Sequence, residues 1–213
     1  MNLRALRLLV LTAFVVGAGA ASASATPVTS LPSGVIVGMP TVNYFGAGPQ
    51  VFSGITWTST NSTTQGGAVF GYTGGYGFSS NGFWSGLNMA GTNSPSGDSM
   101  TFTFAAPVTG VGGFINWATG YSAASIAVYD SAHNLLGSTA INFATNGGTN
   151  TGEFHGFVFN SPSISSFTLT GGYIGITDLT VDTTNPVPEP GTMLLLGTGL
   201  SALAVRFRNK RKA

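Results

Sequence analysis

Between residues 26 and 185, apolar side chains recur at every second position in short runs, and no stretch keeps the three-to-four-residue spacing of an amphipathic helix. Thr101-Phe102-Thr103-Phe104 puts both rings on one side of an extended chain, and Ser125-Ile126-Ala127-Val128-Tyr129 does the same with Ile126 and Val128. Similar runs predict strands at 51–56, 111–116, 140–143, 156–159, 166–169 and 176–181. Gly, Asn, Ser and Pro bound these runs, and each of those residues favours turns. Asp130-Ser131-Ala132-His133-Asn134, between Val128 and Leu135, reads as the turn of a hairpin. Many short strands without helices predict an all-β protein with a single β-sandwich, and about 160 residues suit one such domain. Its core is expected to hold Phe102, Phe104, Phe114, Ile126, Val128, Phe157, Phe159, Phe167 and Leu169.

The two ends break this pattern. Residues 1–25 read as a secretory signal peptide. Arg4 and Arg7 precede a nine-residue apolar run at 8–16, and Ala23-Ser24-Ala25 offers small residues at the two positions signal peptidase reads, for cleavage before Thr26. At the other end, Val187-Pro188-Glu189-Pro190 cannot continue a helix, because proline lacks the N–H and crowds the preceding turn. An uncharged stretch follows at 191–205, then a basic cluster at 206–212. As a helix the uncharged stretch would be about 22 Å long, a short transmembrane span in which Arg206 and Arg208 could snorkel. The basic cluster should stay cytoplasmic. The domain at 26–185 then ends on the far side of the membrane, where the signal peptide also sends it.

The tail, residues 186–213, closely resembles the PEP-CTERM sorting signal in its order of Pro-Glu-Pro, short apolar helix and Arg/Lys-rich terminus. That resemblance implies a Gram-negative bacterium, recognition by an exosortase-type enzyme near Pro188-Glu189-Pro190, and release to the cell surface or an extracellular matrix. Its members commonly travel with exopolysaccharide and biofilm production. The stretch 101–182 resembles jelly-roll, galactose-binding-like domains. The matching segments are Ala106-Pro107-Val108-Thr109-Gly110-Val111-Gly112-Gly113-Phe114, Ile126-Ala127-Val128-Tyr129-Asp130, Leu136-Gly137-Ser138, Phe154-His155-Gly156-Phe157, Ile164-Ser165-Ser166-Phe167 and Ile176-Thr177-Asp178-Leu179-Thr180-Val181. The fold this implies is a jelly-roll-like β-sandwich. Such domains usually carry two acids before the last strand; here Thr177 takes the first place and only Asp178 remains.

Charge narrows the partners. Only 6% of residues are charged, against about a quarter in an ordinary protein. All seven cations lie in the two terminal segments, so residues 26–186 hold no Lys or Arg and five acids: Asp98, Asp130, Glu153, Asp178 and Asp182. Nucleic acid is excluded as a partner, because phosphate binding rests on cations. Disorder is excluded by the 22 aromatic residues of the same stretch. Cysteine is absent, so no disulfide helps the core.

Candidate chemistry is sparse, and no enzyme is expected. The domain has no nucleophilic Cys or Lys, no G-x-S-x-G elbow and no phosphate loop. Glu153 and His155 would share a strand face, but two ligands do not make a zinc site. Asp178 and Asp182, four apart, would also share a face about 13 Å from one another, too far for an acid–base pair. Together with backbone carbonyls they could hold a structural calcium ion; no other cofactor is expected. The stretch 66–91 carries nine glycines interleaved with Phe70, Tyr72, Tyr76, Phe78, Phe83 and Trp84. Two readings stay open there: the rings anchor loops onto the core, or Tyr72, Tyr76 and Trp84 form a rim that stacks on sugar faces. The leading functional reading is an exported, non-catalytic surface or matrix protein. Its partners would be signal peptidase, an exosortase-type enzyme, extracellular polysaccharide and, before processing, the membrane. A carbohydrate-binding module with a defined ligand is the alternative, and a secreted hydrolase comes third.

Overall fold

The computed structural model describes residues 24–61 and 67–183. Two antiparallel sheets dominate it. The larger runs β1 (Thr26–Val28), β14 (Glu153–Val158), β11 (Gly110–Trp117), β16 (Ile174–Asp182), β9 (Met89–Gly91), β6 (Val69–Tyr72) and β3 (Tyr44–Phe45), and β2 (Val35–Ile36) pairs with the far end of β16. The smaller runs β13 (Leu135–Ile141), β12 (Ala124–Tyr129), β15 (Ile164–Thr170), β10 (Ser99–Val108), β5 (Ile55–Ser59) and β4 (Gln50–Phe52). A separate ribbon joins β7 (Tyr76–Gly77) to β8 (Phe83–Trp84), with a 3-10 turn at Ser79–Asn81 between them. From β10 onward the chain passes back and forth between the two sheets, as a jelly roll does. The expected all-β sandwich is therefore what the chain forms.

The period-two pattern sets which side chains meet between the sheets. Met100, Phe102 and Phe104 of β10 face Ile126 and Val128 of β12, Phe167 and Leu169 of β15, and Ile55 and Trp57 of β5 within one buried core. The larger sheet contributes Val111, Ile115, Ile174, Ile176, Leu179, Val181 and Phe157. Seven of the nine expected core residues are buried. Phe159 is partly buried at its edge, and Phe114 faces the opposite side of β11.

Two strand expectations are corrected. The run 51–56 is a hairpin, because Ser53 and Gly54 both take positive φ (45° and 75°) and turn the chain between β4 and β5. Positive φ at both central residues matches the twist of a two-residue hairpin loop. The glycine-rich stretch 66–91, where no strand is predicted, supplies β6, β7, β8 and β9. The expected hairpin turn at 130–134 is present. Asp130 N–H donates to Asn134 O, and His133 N–H to Asp130 O.

Candidate functional site

The glycine and aromatic stretch folds back over the outer face of the larger sheet. Alternation sends Phe70, Ala90 and Ile115 inward, and their neighbours Val69, Met89 and Phe114 outward. Tyr76, Phe78 and Trp84 close over those outward residues and make a second core. Phe78 meets Trp84 edge-on at 4.8 Å, and Trp84 stacks on Phe114 at 6.2 Å. The strand glycines make room for the rings. A Cβ on Gly175 would sit 2.9 Å from the Phe78 ring, and one on Gly91 would sit 3.2 Å from that of Tyr76.

This settles two of the three expected rim residues. Trp84 is 0% exposed and its indole N–H donates to Thr151 O at 2.6 Å. Tyr76 is 7% exposed and its hydroxyl donates to Thr92 O. Burial, with Tyr173 adding to it, pushes the Tyr76 hydroxyl far above the usual tyrosine range, so it stays a neutral donor. Only Tyr72 keeps partial exposure, edge-on to Phe45 at 5.3 Å. The rim is corrected: desolvating two large rings stabilises the fold more than display would.

A polar network that the sequence reading missed locks this layer to the 145–151 loop. Asn81 is buried; its Nδ2 donates to Trp117 O and Phe143 O, and its Oδ1 accepts from Thr145 N–H. Its backbone carbonyl accepts from Asn116 Nδ2 and from the Thr145 and Thr151 hydroxyls. Asn116, also buried, donates to Thr151 O and accepts from Trp117 N–H.

The two acids of β16 meet different surroundings. Along β16 the inward residues are Ile174 and Ile176, then Leu179 and Val181, so the parity changes between them. The change is a bulge, where the register with β11 slips and Asp178 takes φ +50°. Asp178 is consequently exposed, lining a cleft of about 220 Å³ with Met39, Leu87 and Asn88. Asp182 is buried and accepts from the Ser33 hydroxyl. With Leu179 and Val181 inward, Asp178 and Asp182 both fall on the outer side of β16, one exposed and the other buried. Among the described residues no three His, Asp or Glu side chains converge on one point. Glu153 and His155 do share a face, 3.3 Å apart, and the imidazole lies flat on Phe143 at 5.4 Å.

His133, which the sequence places in a solvated loop, borders a cleft of about 270 Å³ with Thr103, Pro107, Asp130, Ser131 and Ser165. The Asp130 carboxylate accepts from Asn134 Nδ2 and from the N–H groups of Asn134 and Ala132, bonds that hold it below the ordinary aspartate range. A carboxylate whose folded value is depressed supports the fold above its unfolded value and loses that support as pH falls through the folded one. The 130–134 turn should therefore open on acidification below the usual aspartate range. The backbone amide resonances of Ala132 and Asn134 should move together in that window while those of β15 stay still.

Ala25, expected to leave with the signal peptide, is built into the fold. It is buried in the main core, its N–H donates to Leu136 O at 2.9 Å, and the neighbouring Ser24 hydroxyl donates to the same carbonyl. A chain beginning at Thr26 should be less stable than one beginning at Ser24 by about 1–3 kcal/mol, for two hydrogen bonds to one carbonyl, one of them exposed, and one buried methyl. Urea midpoints of the two forms would show it. Ala23 and the Val187–Pro188–Glu189–Pro190 motif lie outside the described residues. No helix among the described residues is long and apolar enough to cross a membrane.

Among curated proteins none matches this chain. Among solved structures it is similar to a Streptococcus pneumoniae fucose binding module, at 14% identity over 67% of this chain and 96% of that one, with a TM-score of 0.39. It is also similar to the family 32 CBM from C. perfringens NanJ in complex with galactose (15%, 61% and 93%, TM-score 0.37) and to the lectin domain of Lectinolysin complexed with Lewis B antigen (12%, 45% and 72%, TM-score 0.31). Residues 186–211 match the PEP-CTERM protein-sorting motif, which marks the chain as a secreted protein sorted through the membrane to the cell surface by an exosortase-type system.

Proposed function

We propose that this chain is an exported, non-catalytic surface protein that contacts extracellular polysaccharide. The observation that carries the reading is the pairing of a PEP-CTERM tail at 186–211 with a preceding domain, 26–185, that holds no Lys or Arg. Delivery to the surface places the domain among secreted polymers, and an exterior of hydroxyls and amides suits hydrogen bonding to sugars better than ion pairing. The described residues fit a binding role better than turnover. Glu153 and His155 stand together without a third chemical group, and Asp178 and Asp182 face different surroundings. Signal peptidase and the exosortase-type enzyme are the processing partners in this reading.

The test is fractionation of the producing cells. Wild type should appear at the surface or in the matrix without residues 206–213, and digestion of the extracellular polysaccharide should release it. A variant lacking 187–190 should stay in the membrane fraction. Retention of wild type there, an undiminished matrix fraction after digestion, or release of reducing sugar ends by the purified protein would each overturn the reading.

A further inference from the structure

The outer face of the smaller sheet carries a feature that neither the cores nor the clefts use. The residues that alternate with the buried ones there are almost all hydroxyl-bearing. On β5 they are Thr56 and Thr58, on β10 Thr101 and Thr103, and on β15 Thr168 and Thr170. The strand register aligns them in rows. Thr58 lies opposite Thr101, Thr101 opposite Thr168, and Thr168 opposite Ala127 of β12. One row on, Thr56 lies opposite Thr103, and Thr103 opposite Ser166. Strand geometry sets the mesh at about 4.8 Å across the strands and about 6.7 Å along them.

The six threonines are open, while Ser166 at the end of its row is buried. Thr58 and Thr103 are exposed, and Thr56, Thr101, Thr168 and Thr170 are partly so. Hydroxyls cross-link neighbouring strands, Thr101 to Thr168 at 2.9 Å and Ser99 to Thr170 at 2.8 Å. These bonds fix the side-chain rotamers and leave each hydroxyl further acceptor capacity. No charged residue stands on the mesh; Asp98 and Asp130 flank it at the ends of β10 and β12. Where the mesh ends at Thr103, the 270 Å³ cleft beside Asp130 and His133 begins.

We infer that this face holds an uncharged polysaccharide chain lying across the strands. The inference rests on the glycan reading above and names its surface. A threonine offers a donor, an acceptor and a methyl group at one point, and a sugar ring offers hydroxyls beside C–H groups in the same mixture. Covering the mesh with an apolar partner would strand its hydroxyls without hydrogen bonds, at a cost. A protein partner fits poorly, because interface cores favour aromatic residues and Arg and are poor in Ser. An anionic polymer meets no cation on this domain. A repeating mesh suits a repeating ligand, with affinity gathered from many weak contacts.

The test uses the processed protein, with cellulose, xylan and dextran as neutral probes and alginate as the anionic one. Wild type should be retained by at least one neutral polymer and not by alginate. The double variant T101V/T168V keeps shape, methyls and strand preference but removes two hydroxyls. It should melt like wild type and lose about tenfold in retention. Phe83→Ala, whose ring is exposed on the other side of the molecule, should bind like wild type. Retention of T101V/T168V equal to wild type would overturn the inference and leave the broader glycan reading standing. Retention of wild type by no neutral probe, or arrest of ice growth without polymer retention, would overturn it as well. If digestion of the native matrix also fails to release the protein, the broader reading falls with it.

Discussion

Trp84→Ala should lower the stability of the domain by about 3–5 kcal/mol, the usual cost of emptying a large buried aromatic site. At about 2–4 °C per kcal/mol for a domain of this size, the melting temperature should drop by on the order of 10 °C. The cause lies in packing. The indole has no exposed surface, touches the Phe78 ring edge-on, stacks on Phe114, and donates to Thr151 O. Removing it opens the second core and leaves Thr151 O with Asn116 Nδ2 as its side-chain donor. A sugar-stacking rim would give the opposite pattern, with binding lost and melting unchanged. Calorimetry of Trp84→Ala beside Tyr72→Ala separates the two, because Tyr72 is partly exposed and should cost far less. A melting temperature for Trp84→Ala within a degree or two of wild type would put the ring back on the surface.

The main sandwich was legible because its strands obey one rule. In β10, β12 and β15 the period-two pattern names the buried face residue by residue, and the structure buries Phe102, Ile126, Val128, Phe167 and Leu169. The hairpin at 130–134 was legible for a similar local reason: Asp and Asn close a turn with their own side chains. Reading failed where a single residue changes the parity. Nothing local in Ile176-Thr177-Asp178-Leu179 announces a bulge, yet Asp178 at φ +50° exchanges the faces of everything after it. The spacing of Asp178 and Asp182 told nothing of their burial: one is exposed, and the other is buried and accepts from the Ser33 hydroxyl. The stretch 66–91 failed for another reason. Its strands are two to four residues long, too short for alternation to show, and its glycines meet backbone from elsewhere in the chain, Gly71 against Pro40 O and Gly82 against Gly148 O. The threonine mesh could be read only in part. Each T-x-T triplet is visible in the sequence, but their alignment into rows depends on long-range register.

Asn81→Asp should unfold the domain more readily at neutral pH than near pH 4, about the free aspartate value, a dependence that wild type has no cause to show at this position. The amide of Asn81 donates through Nδ2 to Trp117 O and Phe143 O and accepts through Oδ1 from Thr145 N–H, with 1% of the residue exposed. An aspartate has the same shape but presents an oxygen to those two carbonyls. Ionised, it places a buried charge against two acceptors; protonated, it can still donate to one of them. Burial and the facing carbonyls must raise its folded-state value above the unfolded one. A group raised in this way is tolerated fully below its unfolded value, and the tolerance is lost as pH rises through the folded value. Asn81→Ala has no such escape. It removes the side-chain partner of Trp117 O and Thr145 N–H and leaves Phe143 O only the Trp117 indole N–H, at about 1–3 kcal/mol for each group left dry. The sum is on the order of 2–6 kcal/mol, a large part of the 5–15 kcal/mol or so that holds an ordinary domain together. Urea midpoints of wild type, Asn81→Ala and Asn81→Asp at the two pH values form the measurement. Alanine should be low at both, and aspartate should recover at the acid one. Equal midpoints for wild type and Asn81→Ala would mean that water replaces the amide. The tie between the aromatic layer and the 145–151 loop would then lie in the backbone carbonyl at position 81, which accepts from the Thr145 and Thr151 hydroxyls, and in the bonds that Phe83, Trp84 and Ser85 make to the loop.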